Sequence, residues 1–386
     1  MLHSVATMLL FGAVIVLALT WIGYPLWLRA RGGDTPRAWG GKPPVQWPSV
    51  TIVLVVRNAE SSLRQLLQNL LALAYPPDRR HILVVSDASQ DYTDAVARLF
   101  ADRGVSLLRT TWPRGAGTAL NIARRYVRSD LVVVVDPQAR LRPWSLAALV
   151  APLADASVGV VYGREVGAES GLDRRRQQSA YWRYESRLRD LETRVFGTVS
   201  ARGALYAMRT PLFRAPVQAW LNPDFALTLT AREHCYRAVY QEDAEAVMPP
   251  LGSAKSAYDR TVQAVSRDIA TLLHKPHLLN PRQYGSFAWM LLFHKFGHWL
   301  TPWAVFAGLL ALAVLAPVVT WAATALAVLV GLAIGMAITA GLPARRTVRR
   351  VSLWRLATSA VAFAHAALRV LFEPVEPGYV LKHTLG

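Results

Sequence analysis

Residues 5–28, VATMLLFGAVIVLALTWIGYPLWL, carry no charged side chain and are long enough to cross a bilayer. No other feature restricts the chain as much, because backbone in hydrocarbon must satisfy its own hydrogen bonds, which a single segment does only as a helix. A secretory leader would have a shorter apolar run, basic residues before it and a small-residue cleavage pattern after it. No Arg or Lys precedes this stretch, so a retained membrane helix is expected. Near the other end, residues 302–320 and 322–341 read as a closely connected pair of spans. Residues 354–372 read as a fourth span, containing His365 and Arg369. Basic residues orient the set. Arg29, Arg31, Arg37 and Lys42 follow the first span, and Arg345, Arg346, Arg349, Arg350 and Arg355 separate the third from the fourth. Both clusters should face the cytoplasm, which puts both termini on the outer side.

The net charge of +18 would suit nucleic acid, but no zinc-finger spacing or basic recognition helix accompanies it. Anionic headgroups and phosphorylated substrates are the expected partners, and no nucleic acid is. A single cysteine, Cys235, excludes an internal disulfide and argues against a cysteine-ligated metal.

Between the apolar ends, short β-branched runs alternate with helical spacing. SVTIVLVV (49–56), HILVVSD (81–87), residues 105–109, LVVVVD (131–136), SVGVVYG (157–163), GALYAM (203–208) and RAVY (237–240) read as strands. Leu63, Leu66, Leu67, Leu70 and Leu71 recur at helical spacing, and another helix is expected from about 117 to 128. Such alternation predicts an α/β fold, a mostly parallel sheet with flanking helices. Ligands bind beyond the carboxyl ends of such strands, where Asn58, Asp87 and Asp136 fall. Other roles compete with binding. Asp87 beside Ser89 and Asp91 could be a turn acid, Asp136 a strand-end cap, and Asn222-Pro223-Asp224 a plain helix start. No GxGxxG or GxxxxGK motif favours a dinucleotide or phosphate-loop fold. The expected plan is a membrane helix (1–28), a basic linker (29–48), a central cytosolic α/β domain (49–250), connector and interfacial helices (251–301), a membrane region (302–372) and a tail (373–386). Phe287, Trp289, Phe293, Phe296 and Trp299 around Lys295 and His298 mark the interfacial helix.

Several fragments together carry a resemblance: VTIVLVVRNAE (50–60), ILVVSDASQDYT (82–93), RGAGTALN (114–121), the segment from Asp136 to Gly163, YWRYESRLRDLE (181–192) and GALYAMR (203–209). In this order they resemble membrane-bound, processive-type family 2 glycosyltransferases of GT-A fold. That group includes cellulose, hyaluronan and poly-N-acetylglucosamine synthases, and the likeness is greatest to shorter bacterial members tied to exopolysaccharide or cell-envelope glycans. The resemblance implies a nucleotide sugar bound by Asn58, Glu60, Asp87, Arg114 and Asp136. It implies Mg²⁺ or Mn²⁺ held by Asp136 and Gln138, the latter standing where a second acid is usual. It also implies Asp224 as the base of an inverting transfer to a membrane lipid or growing glycan, at the cytosolic face of the inner membrane. Arg260, Gln263 and Arg267 lie on one helical face and match an arginine-rich diphosphate clamp, or form the surface of a connector helix. Ala116, Gln138, Pro223 and Gln263 depart from the family pattern. The alternative implied is a catalytically impaired subunit that assembles with a polysaccharide synthase or export machinery.

Overall fold

The computed structural model describes residues 1–32, 46–167, 180–199, 203–215, 218, 220–249 and 254–341, with short pieces between 361 and 370. In chain order the described elements are α1 (Leu2–Gly32), β1 (Val50–Val56), α2 (Glu60–Leu71), β2 (Arg80–Ser86), α3 (Thr93–Arg98), β3 (Val105–Arg109), α4 (Ala116–Ala123), β4 (Leu131–Val135), β5 (Arg140–Leu141) and α5 (Ser145–Val150). They continue as β6 (Val158–Gly167), α6 (Ala180–Val195), β7 (Leu205–Arg209), α7 (Thr210–Arg214), α8 (Pro223–Glu233), β8 (Arg237–Met248), α9 (Ala254–His274), α10 (Ser286–Leu315) and α11 (Thr320–Gly341).

The strands form one eight-stranded sheet in the order β3-β2-β1-β4-β7-β6-β8-β5. β3, β2, β1 and β4 run parallel, as the valine-rich runs predict, and β6 pairs parallel with β8. β7 is inserted antiparallel between β4 and β6, so the sheet is mixed. That insertion matters for the site. It keeps the carboxyl ends of β4 and β6 on one edge and starts β7 beside them.

Both faces of the sheet are covered. Leu63, Leu66, Leu67 and Leu70 of α2 are fully buried against Ile52 and Leu54, while Ala119 and Ala123 of α4 pack with Val53 and Val85 on the other face. β6 and β8 run well past the ends expected from sequence, because charged residues alternate with buried Val166, Ala244 and Ala246.

Both α1 and α10 are long and apolar enough to cross a membrane. The aromatic segment 286–303 and the start of the next expected span form one continuous helix, α10. The halves of α1 and α10 nearer the sheet domain are built into it: Tyr24, Leu28, Phe287, Met290 and Leu291 share a core with Leu188, Phe225 and Leu229. The outer halves expose Met8, Phe11, Ile15, Phe306 and Leu310, as lipid-facing helices would. Arg37, Lys42, the arginines at 345–355, the tail and most of 354–372 lie outside the described residues. The described pieces of the last are helical, with Ala362 and Ala366 buried and His365 Nδ1 3.0 Å from the Tyr258 hydroxyl.

Candidate functional site

At the carboxyl ends of β1 to β3, three loops are laced together. Asn58, held at φ 49°, accepts the Gln90 N–H at 2.9 Å and gives its own N–H to Ser89 Oγ at 3.2 Å. Glu60 donates its N–H to Asp91 Oδ2 at 3.0 Å and accepts the Tyr92 N–H at 3.3 Å. Asp87 is buried, and its carboxylate accepts the N–H groups of Arg114 and Gly115 at 2.9 Å and the Thr110 hydroxyl at 3.0 Å. Asp87 thus acts as a turn acid, whatever else it contacts. The Arg114 guanidinium lies 4.1 Å from the centre of the Trp112 ring.

A second cluster forms where β4, β6 and β7 meet α8 and α9. Asp136 follows β4, gives its N–H to the Ala204 carbonyl at 2.9 Å and accepts the Gln138 N–H at 2.7 Å. Burial raises its pKa; the Gln138 N–H lowers it, the Glu165 carboxylate raises it again and Arg260 lowers it. Asp224 sits in the first turn of α8. Asn222 caps that helix by accepting the Asp224 N–H at 3.1 Å, and Pro223 takes the first position, where its missing N–H costs nothing. Burial pushes Asp224 up to about 7, with Glu165, Asp268 and Asp136 adding to the shift and a hydrogen bond from the Tyr206 hydroxyl opposing it. A methyl group on Gly203 would stand 2.2 Å from Asp224 Oδ2, so the carboxylate occupies space that only glycine leaves open there. Asn222 also donates to Asp268 at 2.6 Å, and Lys295 of α10 donates to the other Asp268 oxygen at 2.8 Å.

The expected residues therefore fall into two groups. Asn58, Glu60, Asp87 and Arg114 share one loop cluster, and Asp136, Asp224 and Arg260 share an electrostatic neighbourhood. The backbone of Gln138, not its exposed side chain, meets Asp136. Gln263 is exposed, and burial lowers the pKa of Arg267; only Arg260 of the three is placed beside an acid of the cluster. Sequence reasoning missed Glu165, Tyr206 and Asp268. The quoted GALYAMR fragment already contained Gly203 and Tyr206, but nothing in it pointed to Asp224. Asp136 and Glu165 are hard oxygen donors of the type that suits Mg²⁺ or Mn²⁺, and the Glu165 carboxylate is near enough to raise Asp136.

Residues 51–210 match the model of Glycosyl transferase family 2. Over 150 residues, 36% of this chain, the sequence is 28% identical to beta-monoglucosyldiacylglycerol synthase from Synechocystis sp.. Over 123 residues, 30% of the chain, it is 29% identical to "Probable glycosyltransferase YdaM" from Bacillus subtilis. The matched stretches span 30% and 29% of those two relatives. The mannosyltransferase PcManGT from Pyrobaculum calidifontis, solved with GDP-Man and Mn²⁺, superposes with a TM-score of 0.70 at 23% identity, covering 97% of this chain and 100% of that one. This likeness extends through the helices that flank the sheet and makes the fold GT-A-like.

Proposed function

We propose that this chain, whose residues 51–210 form a family 2 glycosyltransferase domain within a GT-A-like fold, moves a sugar from a nucleoside-diphosphate donor to a lipid-linked or growing glycan acceptor at a membrane surface. The observation that carries the reading is that Asp224, at the start of α8, is raised by Glu165 and Asp136 in a domain whose core takes in two helices apolar enough to span a bilayer. Asp224 is the base. A carboxylate that titrates near 7 is strong enough to take a hydroxyl proton and still ionised in much of the population at neutral pH. Tyr206 donates to it and fixes its direction, and Asn222 fixes the helix start that carries it. Attack by the acceptor oxygen on the face opposite the leaving group inverts the anomeric carbon. Negative charge then grows on the diphosphate, which Arg260 and the N–H groups opening α4 would face. Asp136 and Glu165 would hold a divalent cation, whose chemistry is to neutralise that charge. Asn58, Glu60, Arg114, Gln263 and Arg267 belong to the proposed donor side, with Asp87 shaping its loop. The relative that makes a glucosylated diacylglycerol supports a lipid acceptor, as does the seating of α1 and α10 in the domain core.

The test is turnover by the protein in nanodiscs, offered several nucleotide sugars and native lipid extract, with nucleotide release and glycolipid mass as readouts. Wild type should release nucleotide and form product, while Asp224→Asn should lose at least about two powers of ten in rate. Folded protein that turns over no donor but co-purifies with a synthase would instead establish the impaired-subunit reading that Ala116, Gln138 and Gln263 suggest.

A further inference from the structure

A second polar cluster lies away from the proposed chemistry, where α6 packs between the domain-proximal halves of α1 and α10. Glu185, Glu192 and His294 are 4%, 0% and 3% exposed and His298 is half-buried, so the cluster is largely closed to solvent. His294 and His298 are one turn apart on α10 and project from the same face. Each has its Nδ1 engaged. His294 Nδ1 lies 2.5 Å from Glu192 Oε1, an oxygen that also accepts the Tyr24 hydroxyl at 2.5 Å, and His298 Nδ1 bonds the His294 carbonyl. The carbonyl at His298 Nδ1 fixes a proton there and leaves its Nε2 lone pair pointing the other way, and the carboxylate at His294 Nδ1 does the same for neutral His294. His294 Nε2 lies 3.3 Å from Glu185 Oε1, and His298 Nε2 is buried with no hydrogen-bond partner. The ligand atoms of Glu185, His294 and His298 all fall within 4.8 Å of one another.

We infer that Glu185, His294 and His298 form a divalent-metal site of the zinc class that clamps the membrane helices to the catalytic domain. Bonds of ~2.0–2.1 Å in a tetrahedron place neighbouring ligand atoms roughly 3.3–3.4 Å apart. The His294–Glu185 separation already has that value. Two imidazoles and a carboxylate favour zinc over the magnesium or manganese suited to an all-oxygen site. The carboxylate behind His294 and the carbonyl behind His298 are the outer partners that zinc-bound histidines ordinarily keep. A doubly protonated His294 bridging the two glutamates would account for part of this arrangement. It would leave the buried Nε2 of His298 unused, and the metal uses it. Arg189, 3.0 Å from Glu185 Oε1, offsets the remaining carboxylate charge.

The test uses the full chain in detergent, stripped with a chelator, desalted and titrated with zinc chloride alone. Bound metal is counted by mass spectrometry, and its shell is read by X-ray absorption. One zinc per chain with nitrogen and oxygen neighbours is expected. His298→Gln should weaken binding more than about 100-fold and Glu192→Gln by roughly 10- to 100-fold. Asp136→Asn and His277→Gln should leave binding unchanged, which separates this site from the acid cluster and from surface histidines. Because His298 Nε2 has no partner to lose, His298→Gln should fold even if Glu185→Gln does not. Absence of stoichiometric zinc in wild type, or zinc binding indifferent to His298→Gln, would overturn the assignment.

Discussion

A carboxylate buried among other carboxylates keeps its proton to unusually high pH, and Asp224 is in that position at about 7. Two consequences have opposite signs. Turnover at limiting donor should climb about tenfold per unit below pH 7 and level off above it, in a pH–rate profile. Stability should do the reverse. The folded pKa exceeds the unfolded value of 3.8, so folded protein binds the extra proton between about pH 4 and 7, and its advantage fades as pH rises through that window. Asp224→Asn, slow in turnover, should therefore melt higher than wild type at pH 8. Asp87 is a structural acid. Its carboxylate receives two backbone N–H groups and a hydroxyl in a buried setting, so Asp87→Ala should cost about 3 kcal/mol in denaturant unfolding and loosen the 110–115 loop. Asp87 and Asp136 stood out because each closes a valine-rich strand, whereas Asp224 was singled out by the family resemblance alone, since Asn222-Pro223-Asp224 by itself reads as a plain helix start. Glu165 did not stand out, since Gly163-Arg164-Glu165 reads as a polar turn. In the fold β6 continues through it, paired with Ala246 of β8.

Elements meet where side chains are small enough to let them. α1 and α10 pack with Ala6 buried beside Ala311 and Leu312 and Ala13 buried against Gly308, and the Trp21 indole donates to Thr301 Oγ1 at 3.1 Å. The tightest point is Gly297, where an added Cβ would stand 2.7 Å from Thr20 Oγ1 and 3.0 Å from its Cγ2. A β-branched threonine has little rotamer freedom to withdraw. Gly297→Leu should destabilise the detergent-solubilised protein by roughly 1–3 kcal/mol in thermal melts. Gly308→Ala, whose Cβ would meet Ala13 at 3.5 Å, should melt like wild type. Element types read well from the sequence, because β-branched runs and leucine spacing respond to burial, and burial decided the fold. Strand direction did not read. Nothing in GALYAMR says that β7 runs against β4, a choice set by the long excursion through α6. The continuity of α10 was hidden for a related reason. Aromatic, basic and apolar stretches have different solvents to satisfy, yet one helix serves all three environments as it leaves the domain core.

For the molecule as a whole, the consequence is that α10, a helix long and apolar enough to cross a membrane, reaches the proposed base through two residues. Lys295, buried on α10 with its ammonium 4.5 Å from the Phe225 ring centre, holds Asp268 at 2.8 Å. Asp268 holds Asn222, and Asn222 caps the helix that begins with Asp224. Asp268 is also one of the acids that raise Asp224. A tilt of α10 that moves Lys295 would change how much of that negative charge Asp224 feels. Removing either charge should move the acid limb of the pH–rate profile, in opposite directions. Asp268→Asn deletes a repelling carboxylate, so the limb should shift below pH 7. Lys295→Met leaves Asp268 uncompensated, so the limb should shift above it. A merely structural network would lower the plateau rate in both variants and leave the limb where it was, and that outcome would sever α10 from the chemistry.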